Sequence, residues 1–149
     1  MSQKDTFLKI LDEQFENYTM EKMAGLKTSI LLSEKDGFDF DVDTAFAEWA
    51  NNVSVDYLII DVGCATQKDI DAIVTQWDKP TAYLFKNYGD ETAENFRNKI
   101  SVFIKDRYLG IRCVDDPAPQ VVLCATTVSK DKPIRDFGER QVFLSYYDF

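Results

Sequence analysis

The sequence contains no histidine. That absence removes imidazole acid–base catalysis, Ser-His-Asp and Cys-His nucleophilic systems, and histidine ligation of zinc from the chemistry this chain performs with its own side chains. It also lacks a GxxxxGK[ST] loop and a GxGxxG following a strand, so neither common glycine-rich phosphate cradle is present. No apolar run approaches the roughly 20 residues of a membrane span. The opening Met1-Ser-Gln-Lys-Asp-Thr6 has neither the basic start nor the apolar middle of a secretion signal. The expected location is the cytoplasm where the chain is made, or a virion, with no membrane contact.

Cysteine is scarce and unpaired in pattern. Cys64, Cys113 and Cys124 stand in apolar or strand-like stretches without the spacing of a zinc site or a disulfide framework. They read as buried thiols. A Cys113–Cys124 bridge between neighbouring strands is the alternative, which reducing conditions disfavour.

What is present is a globular composition: 149 residues, 45% hydrophobic and 29% charged. A chain of this length fits one domain, residues 1–149, burying about two-thirds of the surface its unfolded form would expose. Charge is unevenly spread. Residues 1–60 hold five Lys/Arg against twelve Asp/Glu, a balance of −7, and residues 61–149 hold twelve against fourteen, a balance of −2. Repulsion from phosphates argues against free nucleic acid as a partner. Arg97, Lys99, Lys105, Arg107 and Arg112 read as a solvated helix face, with no aromatic-interleaved binding pattern around them.

Periodicity predicts the elements. Phe7, Leu8, Leu11, Phe15 and Tyr18 form one stripe of a helix over 5–24 that Gly25 ends. Residues 27–33 read as a buried strand. Next, Phe38, Phe40 and Val42 alternate with Asp39, Asp41 and Asp43 in an extended segment, with Asp43 suited to cap a short helix carrying Phe46, Trp49 and Ala50 inward. An EF-hand starting at Asp39 fails, because its sixth and twelfth positions are Thr44 and Ala50. Residues 57–62 form an apolar run of the kind found in strands covered on both faces. Thr66 and Asp69 have capping-box spacing before a helix with Ile70, Ile73, Val74 and Trp77 inward. Residues 81–86 give another strand. A long helix follows, with Ala93, Phe96, Ile100, Phe103, Ile104 and Tyr108 as its apolar face and Gly110 as its end. The tail then reads as three strands, over 111–114, 121–128 and 141–149, with no helix between them and hence antiparallel.

The order implies an α/β fold: a three-layer sandwich with a mainly parallel sheet, right-handed crossovers and a C-terminal antiparallel extension. In such a sheet the strands' C-terminal ends share the rim where ligands bind. Delivered there are Glu34, Asp36, Asp61, Gly63, Cys64, Lys86, Asn87, Tyr88, Asp115 and Asp116. A hard cation on Asp61 with Asp115 or Asp116, and a phosphate near Lys86, would make a divalent-metal-dependent phosphate hydrolase. The matching motifs are defective. A haloacid-dehalogenase-type phosphotransferase needs a second aspartate where Gly63 stands, and a restriction-type nuclease needs an acid where Leu84 stands. A receiver domain needs an acidic pair that Glu34 and Asp36 space badly.

The sequence expectation is therefore a non-catalytic interaction or assembly component without cofactor, such as a structural subunit of a phage or similar multi-subunit particle. Its partners would be other protein subunits in a homo- or hetero-oligomer. The interface candidates are the aromatic Phe143, Tyr146, Tyr147 and Phe149, and the acidic Asp39, Asp41 and Asp43. An acidic immunity or inhibitor protein masking a basic surface is the second alternative.

Overall fold

The computed structural model describes residues 2–21, 28–33, 37–76, 79–88, 95–96, 99, 120–127 and 143–149. In chain order the elements are α1 (Gln3–Glu21), β1 (Thr28–Ser33), α2 (Val42–Asn52), β2 (Asp56–Asp61), a single 3₁₀ turn (Val62–Cys64), α3 (Gln67–Gln76), β3 (Thr81–Lys86), β4 (Gln120–Thr127) and β5 (Phe143–Asp148). The expected long helix and the strand over 111–114 lie largely outside the described residues. Of that helix, Phe96 is helical and buried, and Lys99 is helical and exposed.

The strands form one sheet in the order β2-β3-β4-β1-β5, and every pairing is parallel. This corrects the antiparallel extension. β4 and β5 both run alongside β1 in its own direction, with Ile30 opposite Cys124 on one side and Ser145 on the other. The absence of a helical pattern between the last two strands misled the reading. β1 lies between β4 and β5 in the sheet.

The strand order also dictates which helix covers which face. From β1 the chain jumps to the far edge at β2, then steps back through β3 to β4 and past β1 to β5. Right-handed crossovers in opposite directions leave the sheet on opposite faces. Accordingly α1 and α2 share one face. There Phe7, Ile10, Leu11, Phe46 and Trp49 pack against Leu32, Ala82, Leu84, Val122 and Cys124. Ile73 of α3 and Phe96 pack on the other, against Ile60, Tyr83, Phe85, Leu123 and Ala125. The alternation along β3 sends Ala82 and Leu84 one way and Tyr83 and Phe85 the other. A register shift between β3 and β4 places Val121 as an extra residue, so Val121 and Val122 both join the first face.

Two strands that look alike in sequence sit very differently. Ala82 to Phe85 of β3 are fully buried, as a strand flanked on both sides and covered on both faces should be. β2, expected to be covered likewise, is an edge strand with Asp56 and Tyr57 exposed. At the opposite edge, among the described residues, β5 pairs with β1 alone. The two helices of the first face are joined by Trp49 Nε1 donating to Asp12 Oδ1 at 2.9 Å. Among the described residues no helix is long and apolar enough to cross a membrane.

Candidate functional site at the C-terminal rim of the sheet

All five strands end at the same rim, and the polar residues found there come from four separate elements. β3 delivers Lys86, followed by Asn87 in a left-handed conformation (φ 56°) that asparagine tolerates better than most residues. That turn is fastened to β4: Asn87 N–H donates to Thr126 Oγ1 at 3.3 Å, and Tyr88 N–H to the Thr126 carbonyl at 2.9 Å. Thr126 is buried, so its hydroxyl is a fixed acceptor. From β2 comes Asp61, whose Oδ1 accepts from Gly63 N–H at 3.1 Å and from Asn87 Nδ2 at 3.1 Å. From the first turn of α2 comes Asp43, whose Oδ2 lies 3.0 Å from Lys86 Nζ. The other Asp43 oxygen, Oδ1, is buried without a hydrogen-bond partner among the described residues.

α2 itself starts two residues earlier than the sequence suggested. Its cap is Asp41, not Asp43: Asp41 has extended backbone, its Oδ1 accepts Thr44 N–H at 3.2 Å and its Oδ2 accepts the Thr44 hydroxyl at 2.8 Å. These bonds, the backbone N–H first and the hydroxyl second, hold the Asp41 carboxyl below its ordinary range. With the cap at Asp41, Asp43 is free to turn toward the sheet and meet Lys86. The preceding loop is fixed by Gly37, at φ +79°, and by Gln3 Oε1 accepting Asp39 N–H at 2.9 Å.

The junction after β2 is built locally. Thr66 N–H donates to Asp69 Oδ2 at 2.8 Å, the acid half of the expected capping box. Ile73 is buried beneath it, while Val74 is largely exposed. Cys64, the last residue of the 3₁₀ turn, is exposed, against the expectation of a buried thiol. Cys124 is buried and free, with its thiol pKa pushed up by desolvation. Cys113 lies outside the described residues.

The acidic candidates divide. Asp39 and Asp41 are exposed and Phe38, Phe40 and Val42 turn inward, as the alternation predicted, while Asp43 is half-buried in its ion pair. The aromatic candidates belong to β5 and its end. Tyr147 and Phe149 are half-buried against the α1–α2 face, and Phe149 meets Phe38 edge-on with ring centroids 5.4 Å apart. Phe143 and Tyr146 stand opposite Thr28 and Leu31 of β1. Asp115 and Asp116, the proposed companions of Asp61 around a metal, lie outside the described residues. Among the described residues no three acids or cysteines converge to hold a metal ion. Sequence reasoning placed Asp61, Lys86 and Asn87 on the rim but overlooked Thr126, whose signal was a hydroxyl at the end of an otherwise apolar strand.

No protein-family model and no curated protein matches the chain. Solved structures do. The chain is similar to the Thermotoga maritima RuvB Holliday junction branch migration motor, with a TM-score of 0.54 and 17% identity over 95% of this chain and 45% of that one. Variant forms of the same protein give TM-scores of 0.58 with 17% and 18% identity, each covering 100% of this chain and 47% of the other. The chain thus spans less than half the length of the RuvB structures it matches, and at this identity the likeness establishes the fold. The matched protein is a motor and not a particle subunit, which goes against the expected role as a non-catalytic interaction or assembly component and the phage-particle assignment. The likeness also goes against the expectation of no nucleic-acid partner, since the matched protein is named as a Holliday junction branch migration motor. Both errors have a physical origin. The parallel β4 and β5 were read as antiparallel, which hid the doubly wound order, and the basic residues from Arg97 to Arg112 were read as a solvated helix face.

Proposed function

We propose that this chain is a nucleic-acid-processing domain built on a motor fold, and that it engages DNA. The observation that supports this most directly is the similarity of 95% of its length to part of a protein named as a Holliday junction branch migration motor. Charge distribution supports the same reading. The acidic N-terminal half would be repelled by DNA, whereas Arg97, Lys99, Lys105, Arg107 and Arg112 supply phosphate-neutralising groups within sixteen consecutive positions. Lys99 is exposed.

Fluorescence anisotropy with a labelled four-way junction and a matched linear duplex tests the proposal. Binding is expected at about 50 mM salt, weakening steeply toward about 200 mM as counterion release predicts. Replacing the five basic residues by glutamine should flatten that salt dependence. Absence of binding to either DNA at the lower salt would overturn the proposal.

A further inference from the structure

In strand–loop–helix phosphate sites, the helix after the strand turns its free N–H groups and the positive end of its dipole toward the ligand's phosphates. Lysine reaches those phosphates, and an acid holds the accompanying magnesium. In this chain the helix after β1 is α2, and its first turn is already furnished with anions. Asp41 takes the Thr44 N–H, and Asp43 takes the Lys86 ammonium at 3.0 Å. The lysine arrives from the end of β3 rather than from a glycine-rich loop, and it meets a carboxylate where a nucleotide site would offer it phosphate.

We infer that this end of the sheet is an anion site that the chain fills with its own carboxylate. Asp43 stands in for phosphate against Lys86 while Asp41 occupies the α2 N-terminus, so the protein takes neither magnesium nucleotide nor free phosphate there. Four observations carry this. Asp43 and Lys86 come from different layers, so their meeting is a product of the fold and not of local spacing. Their side chains are 42% and 29% exposed, so the pair is partly shielded from solvent. Asp41 adds a second carboxylate to the same helical turn, and an incoming phosphate would be repelled by both. The lysine that would have to hold that phosphate is already neutralised. The inference concerns a ligand other than DNA, and its failure would leave the proposed function standing.

The test compares the wild type with Asp43→Asn, which keeps the size of the side chain and removes its charge. Thermal unfolding is followed with ATP, ADP or inorganic phosphate at millimolar concentration, with and without magnesium. The wild-type melting temperature should not move. Asp43→Asn should gain a saturable upward shift with inorganic phosphate, which the double variant Asp43→Asn with Lys86→Met loses. A saturable nucleotide-dependent shift in the wild type that Lys86→Met abolishes would overturn the inference, and that arm holds even if the asparagine variant folds poorly. So would an Asp43→Asn protein with native circular dichroism and no response to phosphate.

Discussion

At two places this sheet hands the chain to a helix through acidic residues, and the two junctions differ in how far those acids reach. After β2, Asp61 bonds Gly63 and Asp69 bonds Thr66, partners two and three residues away; the longer bond from Asn87 to Asp61 is exposed. After β1, Asp41 caps its helix locally, but Asp43 reaches a lysine 43 residues further along the chain in a part-buried pair. The first junction is therefore a connector assembled from nearby residues, and the second is a cross-link between a helix layer and the sheet. Mutation should separate them, since a contact that ties layers together is lost on unfolding as a unit, whereas an exposed local turn is readily replaced by water.

The largest effect is expected at the cross-link. Lys86→Met keeps most of the side chain's stem but leaves Asp43 half-buried without its counter-charge, with one oxygen already unpartnered. Urea denaturation should show a loss of about 1–2 kcal/mol. A double-mutant cycle with Asp43→Asn should return a coupling of about 1 kcal/mol, and the same cycle on Asp61 and Asn87 about a third of that. Equal couplings would erase the distinction between the junctions.

The same difference explains what the sequence could reveal. Contacts governed by spacing were legible: the Thr66–Asp69 box, the inward Phe38, Phe40 and Val42, and the bounds of β3, which matched 81–86 residue for residue. Lys86 and Asp61 were rightly placed on the rim, because a parallel sheet delivers the ends of its strands to one side. Their partners were not legible. Whether Lys86 faces Asp43 or a ligand depends on strand order, and β2 and β3 carry nearly identical apolar runs although one is an edge and the other interior. The direction of β4 and β5 was lost because the sequence between them carries no helical periodicity, the signal that elsewhere marked a parallel pair.

An intermediate effect is expected at the local cap of α2. Asp41→Ala removes both bonds to Thr44 and should lower the melting temperature by a few degrees at neutral pH. The pH dependence follows from the direction of the shift. The folded Asp41 carboxyl titrates below its unfolded value, so its contribution is complete above the ordinary carboxylate range and is lost as pH falls through the lowered folded value. The gap in stability between wild type and Asp41→Ala should therefore be constant from pH 8 to about pH 5 and narrow progressively below about pH 4. A gap that persists undiminished at pH 2 would mean that the cap acts through backbone conformation and not through its charge.

The smallest effect belongs to the junction after β2, and it separates two roles within one side chain. Asp61→Asn preserves an oxygen that can accept Gly63 N–H, since asparagine forms the same turn bond as aspartate, and it removes only the charge. Because that carboxylate is exposed and its partners are neutral, the substitution should change stability by less than about 0.5 kcal/mol. Asp61→Ala removes the turn bond as well and should cost somewhat more, yet stay under about 1 kcal/mol, because the bond it removes is exposed to water. The ordering Lys86→Met above Asp61→Ala above Asp61→Asn, measured by urea denaturation in one buffer, is the sharpest form of the contrast between the junctions. A loss at Asp61→Asn as large as that at Lys86→Met would instead make Asp61 a second cross-link, tying β2 to the Asn87 turn through a charge that the exposed geometry gives no reason to expect.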